Sequence, residues 1–403
     1  MSDEWVETTL GGCYAHITTR ATSSDLDSAV PYLGLEHLSP EVPVVVTGGA
    51  IGDVSGQVSA FSSGDTLFGR LRPYLRKVSY AGTNGYCSPE ILVLRPDVDV
   101  IHPRFLHLLA SSESVIERAI ANSAGSRMPR TSAKDLADTP ILLPPLRVQR
   151  RIVDLLEHLD THLANLRAER EALGYLHVGL SDALIGGYPT VSAGSLGEGK
   201  RGLVGGPFGS DLTRKDYVED GVPVIRGTNM PGSGKYLQGE FIRVSEDKAN
   251  SLKANIAVPG DVIFTQRGTL GQVGIVPQSH DRFVVSQSQM RLRVERTRAL
   301  ADYIFFHFSR PSIVASLKQQ NTATANPHIN LGILAKQEVP LPSIEKQVSI
   351  VETLNLSQRN IEAVATEIAS AEVSRMALLG SLLSRELEIP DSYDELLNME
   401  VAS

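Results

Sequence analysis

Leu143-Pro144-Pro145-Leu146-Arg147-Val148-Gln149-Arg150-Arg151-Ile152-Val153-Asp154-Leu155-Leu156 is written twice in this chain. It returns 198 residues later as Leu341-Pro342-Ser343-Ile344-Glu345-Lys346-Gln347-Val348-Ser349-Ile350-Val351-Glu352-Thr353-Leu354, with 6 of the 14 aligned pairs identical. In each copy proline precedes an apolar pattern whose step is helical. From Ile152 the register moves by alternating steps of 4 and 3 through Leu156, Leu159, Leu163, Leu166, Arg170, Leu173, His177, Leu180 and Leu184. Shifted by 198 it reads Ile350, Leu354, Ser357, Ile361, Val364, Ile368, Ala371, Arg375, Leu378 and Leu382. An apolar seam of period ~3.5 over about five heptads is the pattern of a coiled coil. The shared register makes each helix the other's partner. Gly186-Gly187 and Pro189 stop the first helix; Ser343 caps the second, which ends before Pro390. At about 1.5 Å per residue, helices of about 40 residues reach roughly 60 Å, a spacer's length.

The rest of the chain repeats as well. Phe105-Leu106-His107 matches Tyr303-Ile304-Phe305, Pro129 matches Pro327 and Leu136 matches Leu334, all at 198. Gly64-Asp65-Thr66-Leu67-Phe68 lies under Gly260-Asp261-Val262-Ile263-Phe264 at 196, and Pro31-Tyr32-Leu33-Gly34 under Pro223-Val224-Ile225-Arg226 at 192. One globule-plus-helix unit, duplicated, accounts for nearly the whole chain. Each globule reads as α+β. Short β-rich runs (Val42–Val46, Thr66–Phe68, Glu90–Leu94) alternate with Gly and Ser turns such as Thr47-Gly48-Gly49, and one helix is expected from Pro103 through Ile116. The expected segments are 1–143, a first globule; 144–186, a central helix; 187–341, a second globule; 342–387, a C-terminal helix; and 388–403, an acidic tail.

Two cysteines, Cys13 and Cys87, in 403 residues give neither a disulfide framework nor a zinc knuckle and fit a reducing cytosol. No apolar run approaches membrane length, and Met1-Ser2-Asp3-Glu4-Trp5 lacks the features of a signal peptide. The net charge of −8 argues by itself against a nucleic-acid partner. Six of those charges (Glu386, Glu388, Asp391, Asp394, Glu395 and Glu400) fall in one terminal segment without Lys or Arg, so the remainder carries only −2.

At this point the chain resembles the specificity (S) subunit of type I restriction–modification systems. The resemblance rests on Phe68-Gly69-Arg70-Leu71-Arg72-Pro73-Tyr74-Leu75, Gly206-Pro207-Phe208-Gly209-Ser210, Gly260-Asp261-Val262-Ile263 and the two helix openings, and covers about residues 5–385. It implies two target-recognition domains, each reading half of a bipartite site in double-stranded DNA, joined by two helices that pack antiparallel. It further implies no cofactor of the chain's own and separate catalytic chains: two adenine methyltransferase subunits docked on the helices, and restriction subunits held through them. The acidic tail lies outside the family pattern.

Candidate DNA contacts follow from residue chemistry. Arg70, Arg72, Arg76 and Lys77 surround Tyr74 on a turn suited to phosphates and grooves; Arg127 and Arg130 form a second basic loop. The second globule offers Gln266, Arg267 and Thr269, then Gln287 and Gln289, with Arg226 and Asn229 after a strand. Glutamine and arginine make paired contacts to adenine and guanine edges. Each set has an ordinary turn or solvated-loop reading beside the DNA reading. Gly194-Ser195-Leu196-Gly197-Glu198-Gly199-Lys200-Arg201 has phosphate-loop spacing, but Arg201 stands where Ser or Thr is needed. His158 and His162 lack a third metal ligand. Asn326-Pro327-His328 lacks the second proline and aromatic of a methyltransferase loop. With no catalytic set, a stand-alone DNA-modifying enzyme is the weaker alternative; a coiled-coil protein scaffold is another, separable by its indifference to DNA.

Overall fold

A computed structural model describes residues 4–395 apart from 19, 22–29, 40–43, 46, 50–57, 233 and 321–327. Val42, Pro43, Val46, Asn326, Pro327 and the tail from 396, with Glu400, therefore lie outside the described residues. The two long helices run Leu146–Ile185 and Ile344–Leu383, 40 residues each and 198 apart at both ends. The chain divides into two compact units: Met1–Asn165 with Ile368–Ser403, and Leu166–Glu367. Each unit thus holds one globule, half of one long helix and half of the other.

In the first unit the described strands of the main sheet run in the order Tyr14–Ile17, Ile91–Pro96, Thr66–Gly69, Val78–Ala81 and Val44–Val45. The second unit keeps the first four positions, as Leu203–Gly205, Gln289–Leu292, Val262–Thr265 and Val273–Ile275. A second sheet in each unit contains a parallel pair, Tyr32 beside Tyr86 in one and Val224 beside Val284 in the other. The first strands of these pairs lie in the segments that the repeat aligns at 192, and the second strands stand 198 apart, so the change of offset falls in the chain between them. A short antiparallel pair closes each globule against its helix: Val6–Thr9 with Pro140–Leu143, and Thr190–Ser192 with Glu338–Pro340.

The duplication reaches individual hydrogen bonds. Gly64 and Gly260 take φ +95° and +88°, a turn that favours glycine. The next residues, Asp65 and Asp261, are buried and accept paired hydrogen bonds from Arg95 and Arg293 at 2.8–2.9 Å. Gln149 and Gln347 are fully buried at the two helix openings. Gln149 accepts from His102 N at 2.7 Å and donates to Val100 O and Pro144 O at 3.2 and 2.8 Å. Gln347 accepts from Leu300 N at 2.9 Å and donates to Arg298 O and Pro342 O at 2.9 and 3.0 Å. Every partner is displaced by the same 198 residues. A buried amide that satisfies three backbone groups is costly to replace, so it latches each globule onto its helix at a fixed angle.

Within each unit the halves of the two long helices run antiparallel. In the first, Ile152 and Leu156 share a core with Leu379 and Leu382, and Arg375 binds Asp160 with Nε–Oδ1 at 2.5 Å. In the second, Leu180 and Leu184 pack on the core that holds Ile350 and Leu354, and His177 meets Ser357 at 3.2 Å. Of the remaining seam residues, Leu163, Leu166, Val364 and Ile368 are buried, Leu159 and Ile361 are half-buried, and Arg170 is exposed. A fully buried Leu or Ile stabilises by about 1.5–3 kcal/mol, which is the main reason these spacers hold.

One expectation needs correction. The helix from Pro103 through Ile116 is two helices, Pro103–Ala110 and Glu113–Ala121. Ser111 Oγ donates to His107 O and Ser112 Oγ to Leu109 O, both at 2.7 Å. Hydroxyls that compete for backbone carbonyls end a helix even where the apolar spacing continues.

Candidate nucleic-acid interface

In the first unit the basic turn joins strands Thr66–Gly69 and Val78–Ala81 through a 3₁₀ turn at Pro73–Leu75. Arg72 and Arg76 flank it in the left-handed region at φ +53° and +52°, unusual for side-chain-bearing residues. The second basic loop lies against the first: Arg72 N donates to Pro129 O at 2.7 Å, Thr131 N to Arg70 O at 3.0 Å, and Leu71 bridges to Arg130. The fold thus gathers both sets into one face, but it does not leave every cation available. Arg76 binds Glu113 at 2.5 Å, Lys77 donates to Leu35 O at 2.5 Å, and Arg130 grips Glu90 with contacts of 2.9–3.1 Å. Arg72, Tyr74 and Arg127 are exposed. Arg70 is half-buried, with an Nε that has no hydrogen-bond partner among the described residues. His16 is held below its ordinary range, first by burial and then by Arg70.

In the second unit the turn Ser286–Gln289 is the hub. Gln266 N and Arg267 N donate to Ser288 O at 2.7 and 3.2 Å, Gly206 N to Gln289 O at 2.9 Å, and Ser286 N to Ile225 O at 3.1 Å. Four loops from distant parts of the sequence therefore meet, those of Gly206, Arg226, Gln266 and Gln287. Arg267 and Thr269 are exposed and Gln266 half-buried, and Arg267 bridges to His328. Two of the expected contacts, Asn229 and Gln287, serve this scaffold. Asn229 is fully buried, its amide accepting from Arg226 N and donating to Gln238 O and Glu240 O at 3.0–3.2 Å. Gln287 donates to Gly209 O and Leu212 O at 2.6 and 3.0 Å, and Gln289 is buried in its strand. The loop that Gln287 holds carries Phe208, 86% exposed, with Gly209 at φ +53° behind it. An exposed phenyl ring on an anchored turn is a candidate contact that residue-by-residue reading passed over. Its sequence signal is the stretch Gly206-Pro207-Phe208-Gly209-Ser210, quoted above for the family resemblance, where the aromatic stands between a proline and glycines.

Residues 61–173 and 210–372 match the family model described as the type I restriction modification DNA specificity domain. The chain belongs to this family. Among curated specificity subunits of type I restriction enzymes, EcoDI of Escherichia coli is 31% identical over 146 residues, 34% of this chain and 32% of that protein. EcoBI of Escherichia coli is 21% identical over 310 residues, 70% of this chain and 64% of that protein. The matches thus span about a third to two thirds of those relatives' own length. A chain from a structure of the type I R-M system superposes with a TM-score of 0.64 at 20% identity, covering 95% of this chain and 98% of the other. The S subunit from M. genitalium gives 0.51 at 15% identity, covering 95% and 96%. The specificity-subunit fold is shared. Among the described residues no helix is long and apolar enough to cross a membrane, and no group of three His, Cys, Asp or Glu could hold a metal ion.

Proposed function

We propose that this chain selects the DNA sequence for a cytoplasmic type I restriction–modification complex and performs no chemistry itself. The globules within 1–143 and 187–341 act as target-recognition domains, each reading one half of a bipartite site in duplex DNA. The helical segments 144–186 and 342–387 set the spacing, and no cofactor is needed. The observation that carries this reading is the unit-by-unit duplication, latch and arginine-bound buried aspartate included, with exposed polar side chains gathered on each globule. Contact falls to Arg70, Arg72, Tyr74 and Arg127 in the first unit and to Phe208, Gln266, Arg267 and Thr269 in the second. Arg76, Lys77, Arg130, Asn229 and Gln287 hold those faces in shape.

The long helices offer docking surface for two adenine methyltransferase subunits, through which restriction subunits are held. Tyr175 and Leu176 on the first helix are 71% and 55% exposed, and Val373 and Met376 on the second are 63% and 58% exposed. Tyr175 and Val373 occupy equivalent positions, 198 apart. Contiguous exposed apolar patches mark interaction surfaces, and these side chains supply the apolar part of this docking surface. The purified chain should neither methylate nor cut DNA and, with net charge −8, bind it weakly. Adding the methyltransferase subunits should produce adenine methylation at one bipartite sequence. Methyl transfer or cleavage by the chain alone would refute the proposal.

A further inference from the structure

Beneath exposed Gly227 in the second unit lies a side-chain amide whose NH2 group is unpaired among the described residues. Gln289 is fully buried, and its Oε1 accepts from Ser286 Oγ. Its Nε2 has no hydrogen-bond partner among the described residues. A Cβ built on Gly227 would stand 3.6 Å from that Nε2 and meet nothing else within 4 Å. The preceding residue adds a second case: Arg226 Nε is also buried and has no hydrogen-bond partner among the described residues. The bond from Ser286 N to Ile225 O, 3.1 Å, holds these two segments together. Buried donors in folded proteins are nearly all satisfied, and an unmet one in a contact face is a place prepared for an acceptor. We propose that the notch at Gly227 receives one hydrogen-bond acceptor of the DNA, which Gln289 Nε2 and Arg226 hold. The inference rests on reading the second globule as a DNA-recognition domain, and it names the chemistry of one contact. The acceptor is either a backbone phosphate oxygen or an acceptor atom on a base edge.

Gly227→Ala tests this at little cost to the fold, because 3.6 Å is an ordinary van der Waals distance and Gly227 is not among the positive-φ glycines. The full chain, assembled with its methyltransferase subunits, is titrated with target duplex at several salt concentrations. The methyl group should cap the amide and weaken binding by about tenfold or more with an unchanged melting midpoint. Gln289→Met removes the unmet donor. It should melt at or above the wild-type midpoint and also bind more weakly, whereas a purely structural glutamine would lose stability and keep its affinity. A phosphate acceptor lowers the salt slope by about one and weakens all sequences alike. A base acceptor keeps the slope and makes one target position degenerate. Wild-type binding with no sequence preference would overturn the recognition reading and the notch with it. Specific wild-type binding that neither variant alters would overturn the notch alone.

Discussion

The two units fasten the ends of their long helices by different means. In the second unit the first long helix ends at Ile185, Gly187 takes φ +82°, and the chain continues directly into strand Thr190–Ser192. In the first unit the second long helix ends at the equivalent residue, Leu383, and the following segment is held by side chains. Arg385 lies 5.5 Å over the Trp5 ring, and Ile389 packs on the core. The buried Arg151 binds Asp391 with Nη1–Oδ1 at 2.7 Å and Asp394 with Nε–Oδ1 at 2.6 Å, while Tyr393 Oη donates to Asp154 at 2.6 Å. The repeat places Ser349 where the first copy has Arg151. Duplication has kept what faces the core and the latch, and left the closure of each helix end to local chemistry.

Charging the seam should have the largest effect. Leu163 is 4% exposed, and its repeat partner Ile361 is only half-buried. Leu163→Glu should cost several kcal/mol through an unpartnered buried carboxylate and abolish assembly with methyltransferase subunits. Ile361→Glu should cost less. Calorimetry and size-exclusion chromatography read both; assembly that survives Leu163→Glu would mean that the helices do not pack through these heptads. The latches come next. Gln149→Ala and Gln347→Ala each leave three backbone groups unbonded and should cost about 2–4 kcal/mol apiece. If one is silent, the two latches are not energetic equivalents despite their matching bonds.

Arg151→Met addresses the closure itself. Hydrogen bonds from Arg151, with Arg147 adding to its charge, hold the Asp391 and Asp394 carboxyls below the usual range. A carboxylate whose folded pKa is depressed stabilises above its unfolded value, about 4, and loses that contribution as pH falls through the folded value. The variant should therefore melt below wild type at pH 7, with the gap closing as pH drops below about 4. A gap that persists in acid would show that the clamp acts by packing alone. The smallest effect is expected at Arg72. The second unit's equivalent turn puts glycines, Gly268 and Gly271, at positive φ, where the first has Arg72 at +53°. Arg72→Gly should relieve about 1 kcal/mol of strain and raise the melting midpoint slightly, while lowering the salt slope of DNA binding by about one.

The sequence disclosed both helices and placed their starts within two residues, though the second ends at Leu383 and not near 387, because period, proline and glycine are local signals and the repeat supplied the openings twice. The pairing direction was not local; it rested on the family resemblance and is visible here in Arg375–Asp160 and His177–Ser357. The break at Ser111 and Ser112 was hidden because apolar spacing runs across it. Within the candidate contact faces, composition identified the basic turn but could not say which cations were engaged. Arg76 finds Glu113 37 residues away and Arg130 finds Glu90 40 away, pairings that only the fold creates. Asn229 and Gln287 looked like base readers because the amide that reads adenine also braces backbone. Gln149 and Gln347 stood in the quoted repeat as helix openings; their task shows only once the loops at Val100 and Arg298 fold against them.

Exchange of one domain tests the central claim, independent reading by the two units, most directly. Residues 1–143 are replaced by the equivalent segment of a related specificity subunit, and genome-wide adenine methylation is sequenced in cells that supply the methyltransferase subunits. The account predicts two short specified blocks separated by unspecified bases, of which the exchange changes one and leaves the other block and the spacer as they were. An exchange that alters both blocks at once would contradict it.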